Sequence, residues 1–158
     1  MGTLALAQAN FSINEFFRSE LIEFAKKERP KECCGVIACY KETPVAIYKL
    51  KNDHPHPRQA YSFNLEEQYT TTIDLKRKDW VLGAVFHSHP SGEAFPSDYD
   101  LKNYPYEVPL IVIGFVPYVE VRSFLIIDKD SWIALPNSET GKPISYKKKV
   151  FRKDSRKK

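Results

Sequence analysis

The sequence predicts a mixed α+β domain of the α/β class, a central β-sheet flanked by helices and covered on both faces. Three observations lead there. Two stretches, around residues 13–25 and 65–73, place apolar side chains at helical spacing. Several short runs, among them Cys33–Tyr40, Trp80–Phe86 and Val108–Gly114, are apolar almost throughout, as strands buried on both sides are. The 158 residues suffice for one domain with a real core, and they hold no internal repeat and no low-complexity segment before the C-terminal tail.

In chain order, Ser12-Ile13-Asn14-Glu15 reads as a capping box that opens a helix with Ile13, Phe16, Phe17, Leu21, Phe24 and Ala25 on one stripe. Pro30 stops this helix after about Glu28. Glu32 then opens a strand over Cys33–Tyr40, in which Gly35 permits a close backbone approach. Lys41-Glu42-Thr43-Pro44 forms a hairpin turn into a strand over Val45–Lys51. A proline-punctuated loop, Asn52–Arg58, and an extended piece, Tyr61–Asn64, lead into a helix over Leu65–Lys78 anchored by Leu65, Tyr69, Thr72 and Ile73. After the apolar strand at Trp80–Phe86 come a short helix over Asp98–Asn103 and strands over Val108–Gly114 and Val119–Ile127. A turn at Lys129-Asp130-Ser131 feeds the last strand, Trp132–Leu135.

The net charge of +4 is unevenly spread: residues 147–158 hold eight basic side chains and one acid, which leaves the rest of the chain at −3. A mildly acidic domain over 1–140 with a basic, solvated tail over 141–158 follows. The tail is interrupted by one aromatic, Phe151, and has no base-reading motif, so it is not the footprint of a nucleic-acid-binding fold. No apolar run reaches the length of a membrane span, and the first seven residues lack the basic start of a secretory signal, so the expected compartment is the cytoplasm. The three cysteines cannot all pair, and Cys33 and Cys34 face opposite ways on a strand. Buried free thiols in a reducing compartment are the expectation.

Chemistry gathers between residues 87 and 100. His87 and His89 lie two apart at a strand end, so their imidazoles share a face. Ser97-x-x-Asp100 is a helix start that sets Asp100 on the first turn. Capping alone explains Ser97 and Asp100, but it does not explain the two histidines. Two imidazoles and a carboxylate, with a fourth position left for water, make the three-ligand set that catalytic zinc uses. His54 and His56 also alternate, but prolines surround them and Asp53 is the one acid near, so they read as a solvated loop. Cys34 and Cys39 lack the spacing of a structural zinc site. The chain carries no P-loop, dinucleotide fingerprint, serine-nucleophile elbow, HExxH or zinc-deaminase motif pair.

His87-Ser88-His89-Pro90, followed after residues 91–96 by Ser97-x-x-Asp100, resembles the signature of the JAMM (MPN+) zinc metalloproteases. Pro30-Lys31-Glu32-Cys33-Cys34-Gly35 resembles the glutamate-bearing motif that this family carries upstream. The resemblance runs from the first helix to the strands near Trp132. It implies a mixed, curved sheet flanked by helices, related to the cytidine-deaminase architecture. It implies one Zn2+ held by His87, His89 and Asp100, with Glu32 as general base and Ser97 as donor to the oxyanion. Ser88 points the other way and packs. The implied reaction is hydrolysis of the peptide or isopeptide bond after the C-terminus of ubiquitin or a ubiquitin-like protein. The short chain, without long insertions, looks like the free-standing prokaryotic type. Alternatives within that chemistry are a processing peptidase for a sulfur-carrier protein and a phage-tail peptidase. Outside it stand a metal-free MPN scaffold and, through the basic arm, a nucleic-acid-associated protein.

Overall fold

In the computed structural model, which describes residues 10–136, helix α1 (Glu15–Glu28) opens on Asn14, whose Oδ1 accepts the Phe17 N–H at 3.0 Å. The cap is therefore Asn14 rather than Ser12. Phe17, Leu21 and Ala25 are buried beneath this helix, whereas Phe16 turns out to solvent. Strands β1 (Cys34–Tyr40) and β2 (Thr43–Leu50) form a hairpin through Lys41 and Glu42, both at positive φ (48° and 71°), the handedness that a two-residue turn needs. Gly35 is required where β1 meets its neighbours. A Cβ there would lie 2.1 Å from the Tyr48 carbonyl oxygen and 2.5 Å from the Phe86 ring.

Next in the chain are α2 (Leu65–Arg77), β3 (Val81–His89), α3 (Asp98–Lys102), β4 (Leu110–Gly114), β5 (Glu120–Asp128) and β6 (Ser131–Ala134). The six strands form one sheet in the order β2-β1-β3-β4-β5-β6. Every pairing is antiparallel except β3 with β4. A parallel pair cannot be joined by a tight turn, so the chain needs a long crossover there, and that crossover contains α3. Alternation along β3 and β4 divides the core. Ala84, Phe86, Ile111 and Ile113 pack under α1, while Leu110, Val112 and Val85 pack on the opposite face with residues such as Phe63, Leu101 and Trp132. The expected sheet covered on both faces is thus what forms. Cys33 and Cys34 go to opposite faces, and all three cysteines are buried and unpaired.

The anchoring of α2 differs from expectation. Leu65, Tyr69 and Ile73 are 79%, 67% and 38% exposed, Thr72 is exposed too, and the buried residue of the helix is Thr71. Polar ties set the rotation of this helix. Asn64, capping it just after buried Phe63, accepts the Glu67 N–H, the Glu67 carboxylate accepts the Lys51 N–H at 2.6 Å, and Tyr48 donates to Asp74 at 2.5 Å. These hold the side bearing Thr71 and Asp74 toward the sheet and leave the apolar stripe outside. No helix among the described residues is long and apolar enough to cross a membrane. The expected basic tail over 141–158 lies outside the described residues.

Candidate metal centre

β3 ends in the site. His87 is fully buried, opposite Cys34 on β1 and Val112 on β4, with the Tyr61 ring stacked on it at 4.6 Å. Two residues on, His89 points to the same side but stays partly open. The third group comes from the crossover. Ser97 caps α3: its Oγ accepts the Asp100 N–H at 3.0 Å, and Asp100 Oδ2 accepts the Ser97 N–H at 2.9 Å. This reciprocal cap fixes the Asp100 carboxylate against the histidines. Its Oδ2 lies 3.0 Å from His87 Nε2 and 3.1 Å from His89 Nε2, and the two Nε2 atoms are 3.1 Å apart. Among the described residues, these three make the one group of side chains able to hold a metal ion.

Glu32 sits just before β1, 4% exposed, and its backbone is pinned on both sides. Its N–H donates to the Pro57 carbonyl at 2.7 Å, and its carbonyl accepts from Asn52 Nδ2 at 3.0 Å. The next residue, Cys33, donates its N–H to Ser88 Oγ at 2.8 Å and accepts the Ser88 N–H at 3.1 Å. Ser88 therefore does pack away from the histidines, and in doing so it ties the Glu32 segment to the histidine strand. Burial pushes the Glu32 carboxyl above its ordinary range, and the nearby imidazoles pull it part of the way back. For Asp100, burial acts upward as well, but the charges and hydrogen bonds of His87 and His89 outweigh it and hold the carboxyl well below the usual range. Burial disfavours a charged His89, yet its contacts with Asp100 prevail and raise its pKa.

The donor set fits a metal ion. His89 Nδ1 donates to the Glu93 carbonyl at 2.9 Å, so the proton that leaves this ring most readily is the one on Nε2, exposing an electron pair beside Asp100 Oδ2. Three lone-pair atoms about 3 Å apart repel unless a proton or a cation lies among them. Glu32 Oε1 is buried with no hydrogen-bond partner among the described residues, as befits an acceptor kept for a group that enters the site. Two nitrogens and one carboxylate oxygen are ligands that zinc takes when it keeps an open position.

Ser97 is exposed, and because its oxygen accepts from Asp100, its own O–H is left to donate. The structure thus brings His87, His89, Asp100, Ser97 and Glu32 to one region. Three contributors escaped the sequence reading: Asn52, which holds Glu32; Tyr61, which covers His87; and the Glu93 carbonyl, which orients His89. A backbone carbonyl leaves no signal in sequence, and an asparagine in a proline-rich loop is a weak one. The loop at 54–56 is exposed at Pro55 and His56, as expected, while His54 is half-buried and its Nε2 meets the Tyr99 hydroxyl at 3.0 Å.

The probable TtuB-protein conjugate cleaving protease of Thermus thermophilus is 36% identical over 100 residues, which cover 63% of this chain and 65% of that protein. The match therefore spans just under two thirds of the relative's length. The CysO-cysteine peptidase of Mycobacterium tuberculosis is 28% identical over 113 residues, 68% of this chain and 77% of that one. Among solved structures, protein DSY2949 from Desulfitobacterium hafniense superposes with a TM-score of 0.66 at 26% identity, covering 77% of this chain and 86% of that chain. The resemblance read from His87-Ser88-His89-Pro90 and Ser97-x-x-Asp100 holds at the level of the whole domain: with residues 16–127 matching its family description, this chain belongs to the prokaryotic homologs of the JAB domain.

Proposed function

We propose that the protein is a zinc-dependent metallopeptidase that cuts the bond between a ubiquitin-like protein's C-terminus and an attached amine, with His87, His89 and Asp100 as ligands. The observation that carries this reading is the convergence of those three donor atoms beside the buried carboxylate of Glu32, whose Oε1 has no hydrogen-bond partner among the described residues. Zinc bound there would act as a Lewis acid, polarising the scissile carbonyl and making water available as a nucleophile near neutral pH. The chain's own residues do the rest. Glu32 takes the proton of the attacking water and returns it to the leaving amine. Its burial favours this shuttling by bringing the carboxylate's proton affinity closer to that of its partners. The Ser97 hydroxyl donates to the oxyanion that develops on the substrate carbonyl. Ser88, Asn52 and Pro57 keep Glu32 in place.

The names of the two relatives, a protease cleaving TtuB–protein conjugates and a peptidase of CysO-cysteine, support hydrolysis of a bond between a protein and an attached amine. They also favour a second version of the same reading, removal of a small extension from a sulfur-carrier protein. Buried, unpaired thiols agree with a cytoplasmic setting. The test is metal analysis together with cleavage of a lysine-linked ubiquitin-like conjugate. Glu32→Gln should retain zinc and lose turnover by about 10²–10⁴-fold, the usual worth of general acid–base catalysis. Equal turnover would remove Glu32 from its role, and zinc-free protein with full activity would end the reading.

A further inference from the structure

We propose that the Tyr99 hydroxyl is a substrate-binding group, a hydrogen-bond donor aimed into the cleft beside Asp100 and held in that role by His54. The inference rests on the hydrolytic reading for its substrate and on a separate set of contacts for its geometry. A cleft of about 340 Å³ opens next to Asp100, with His54 and Tyr99 on one wall and the aromatic rings of Tyr61, Phe63 and Tyr106 on others. Tyr99 is 48% exposed, so its ring is available to a ligand there.

The direction of the hydroxyl proton follows from the imidazole. The His56 N–H donates to His54 Nδ1 at 2.9 Å, and a ring nitrogen that accepts carries no proton. In the neutral imidazole the single proton is then on Nε2, which sits 3.0 Å from the Tyr99 oxygen and donates to it. The Tyr99 oxygen is occupied as an acceptor, and its own O–H remains for a partner in the cleft. The two rings meet nearly at right angles, 85°, with centroids 6.0 Å apart, so the imidazole supports the tyrosine on one side while the other stays open. His54 is itself fixed, because its N–H donates to Asn52 Oδ1 at 3.0 Å while the Asn52 amide holds the Glu32 carbonyl. One asparagine thus sets the spacing between Glu32 and the donor on the Asp100 side.

A neutral donor in a cleft that mixes aromatic rings with the polar side chains of Ser62, Gln68 and Asn103 suits a main-chain carbonyl of an extended peptide, such as the C-terminal segment of the proposed ubiquitin-like substrate. Tyr99 is then a binding residue and His54 a positioning residue. The experiment uses zinc-loaded protein and a pentapeptide ending in Gly-Gly with a C-terminal aminocoumarin, following kcat and KM, plus the Kd of the same peptide on the Glu32→Gln variant. Tyr99→Phe should raise KM and Kd about three- to tenfold, the worth of one neutral hydrogen bond, and leave kcat within about twofold. His54→Ala should raise both comparably, the double variant should be no worse than Tyr99→Phe alone, and His54→Gln should recover part of the loss through its amide N–H. An unchanged KM and Kd in Tyr99→Phe, strictly additive losses in the double variant, or a peptide that does not bind would overturn the proposal. Tyr99-dependent binding without turnover by the wild type would sink the hydrolytic reading and keep this one.

Discussion

Ser88 shows how one side chain serves the site without facing it. Its hydroxyl is the partner of a buried N–H 55 positions away in sequence, and that bond fixes the strand end from which Glu32 projects. Ser88→Ala should lower unfolding free energy by about 1–3 kcal/mol, the penalty for stranding a buried donor, as read by urea denaturation. Zinc content should stay as it was; a loss under about 0.5 kcal/mol would show that the N–H finds another partner. The thiols behave differently from reactive cysteines. Burial pushes Cys33 up to about 12 and Cys39 to about 11 from an ordinary value of 9.0, and it pushes Cys34 further still. Native protein at pH 8 should therefore resist a maleimide until denaturant is added. Because folding raises these values, their contribution to stability is complete below pH 9 and is lost as pH climbs from there toward 12. Denaturation midpoints at pH 8 and pH 10.5 check the sign.

At the scale of elements, the exposed stripe on α2 and the buried stripe on α1 make opposite predictions for apolar side chains at the same helical spacing. Tyr69→Ala should change stability by no more than about 0.5 kcal/mol, as a surface substitution does. Leu21→Ala, under α1 with no exposure, should cost about 2–5 kcal/mol in the same denaturation series. In the crossover, Gly92 accepts the N–H groups of Phe115 and Val116, and facing it at the end of β4 Gly114 leaves no room: a Cβ there would lie 2.2 Å from Ala94 N and 2.5 Å from the Glu93 carbonyl carbon. Gly114→Ala should push the Glu93 carbonyl off His89 and weaken zinc binding about 10–100-fold in chelator competition, whereas Gly92→Ala, with its nearest contact at an ordinary 3.4 Å, should not.

For the whole molecule, the proposed ligands come from β3 and α3, so an ion that joins them couples binding to folding. At a hundred times its Kd, zinc should stabilise the fold by about 2.7 kcal/mol and raise Tm, and a chelator should reverse this. An unchanged Tm would mean that the three side chains hold no ion. Much of this was legible in the chain itself. The spacing of His87, His89 and Asp100, the alternation of the buried strands and the capping box at Ser97 are local patterns, and local backbone geometry alone makes two histidines on one strand share a face. The rotation of α2 was not legible, because Leu65, Tyr69 and Ile73 do form an apolar stripe and it is Tyr48 and Lys51, from another element, that hold the helix the other way round. Nor was the support of Glu32 by Asn52 and Ser88, or the bond from His54 to Tyr99, 45 positions apart. Sequence by itself marked the residues to which the chemistry is here assigned by proposal, and the local elements that present them; tertiary structure decided which side chains hold those residues still, because such partners meet only after loop closure brings distant segments within hydrogen-bond reach.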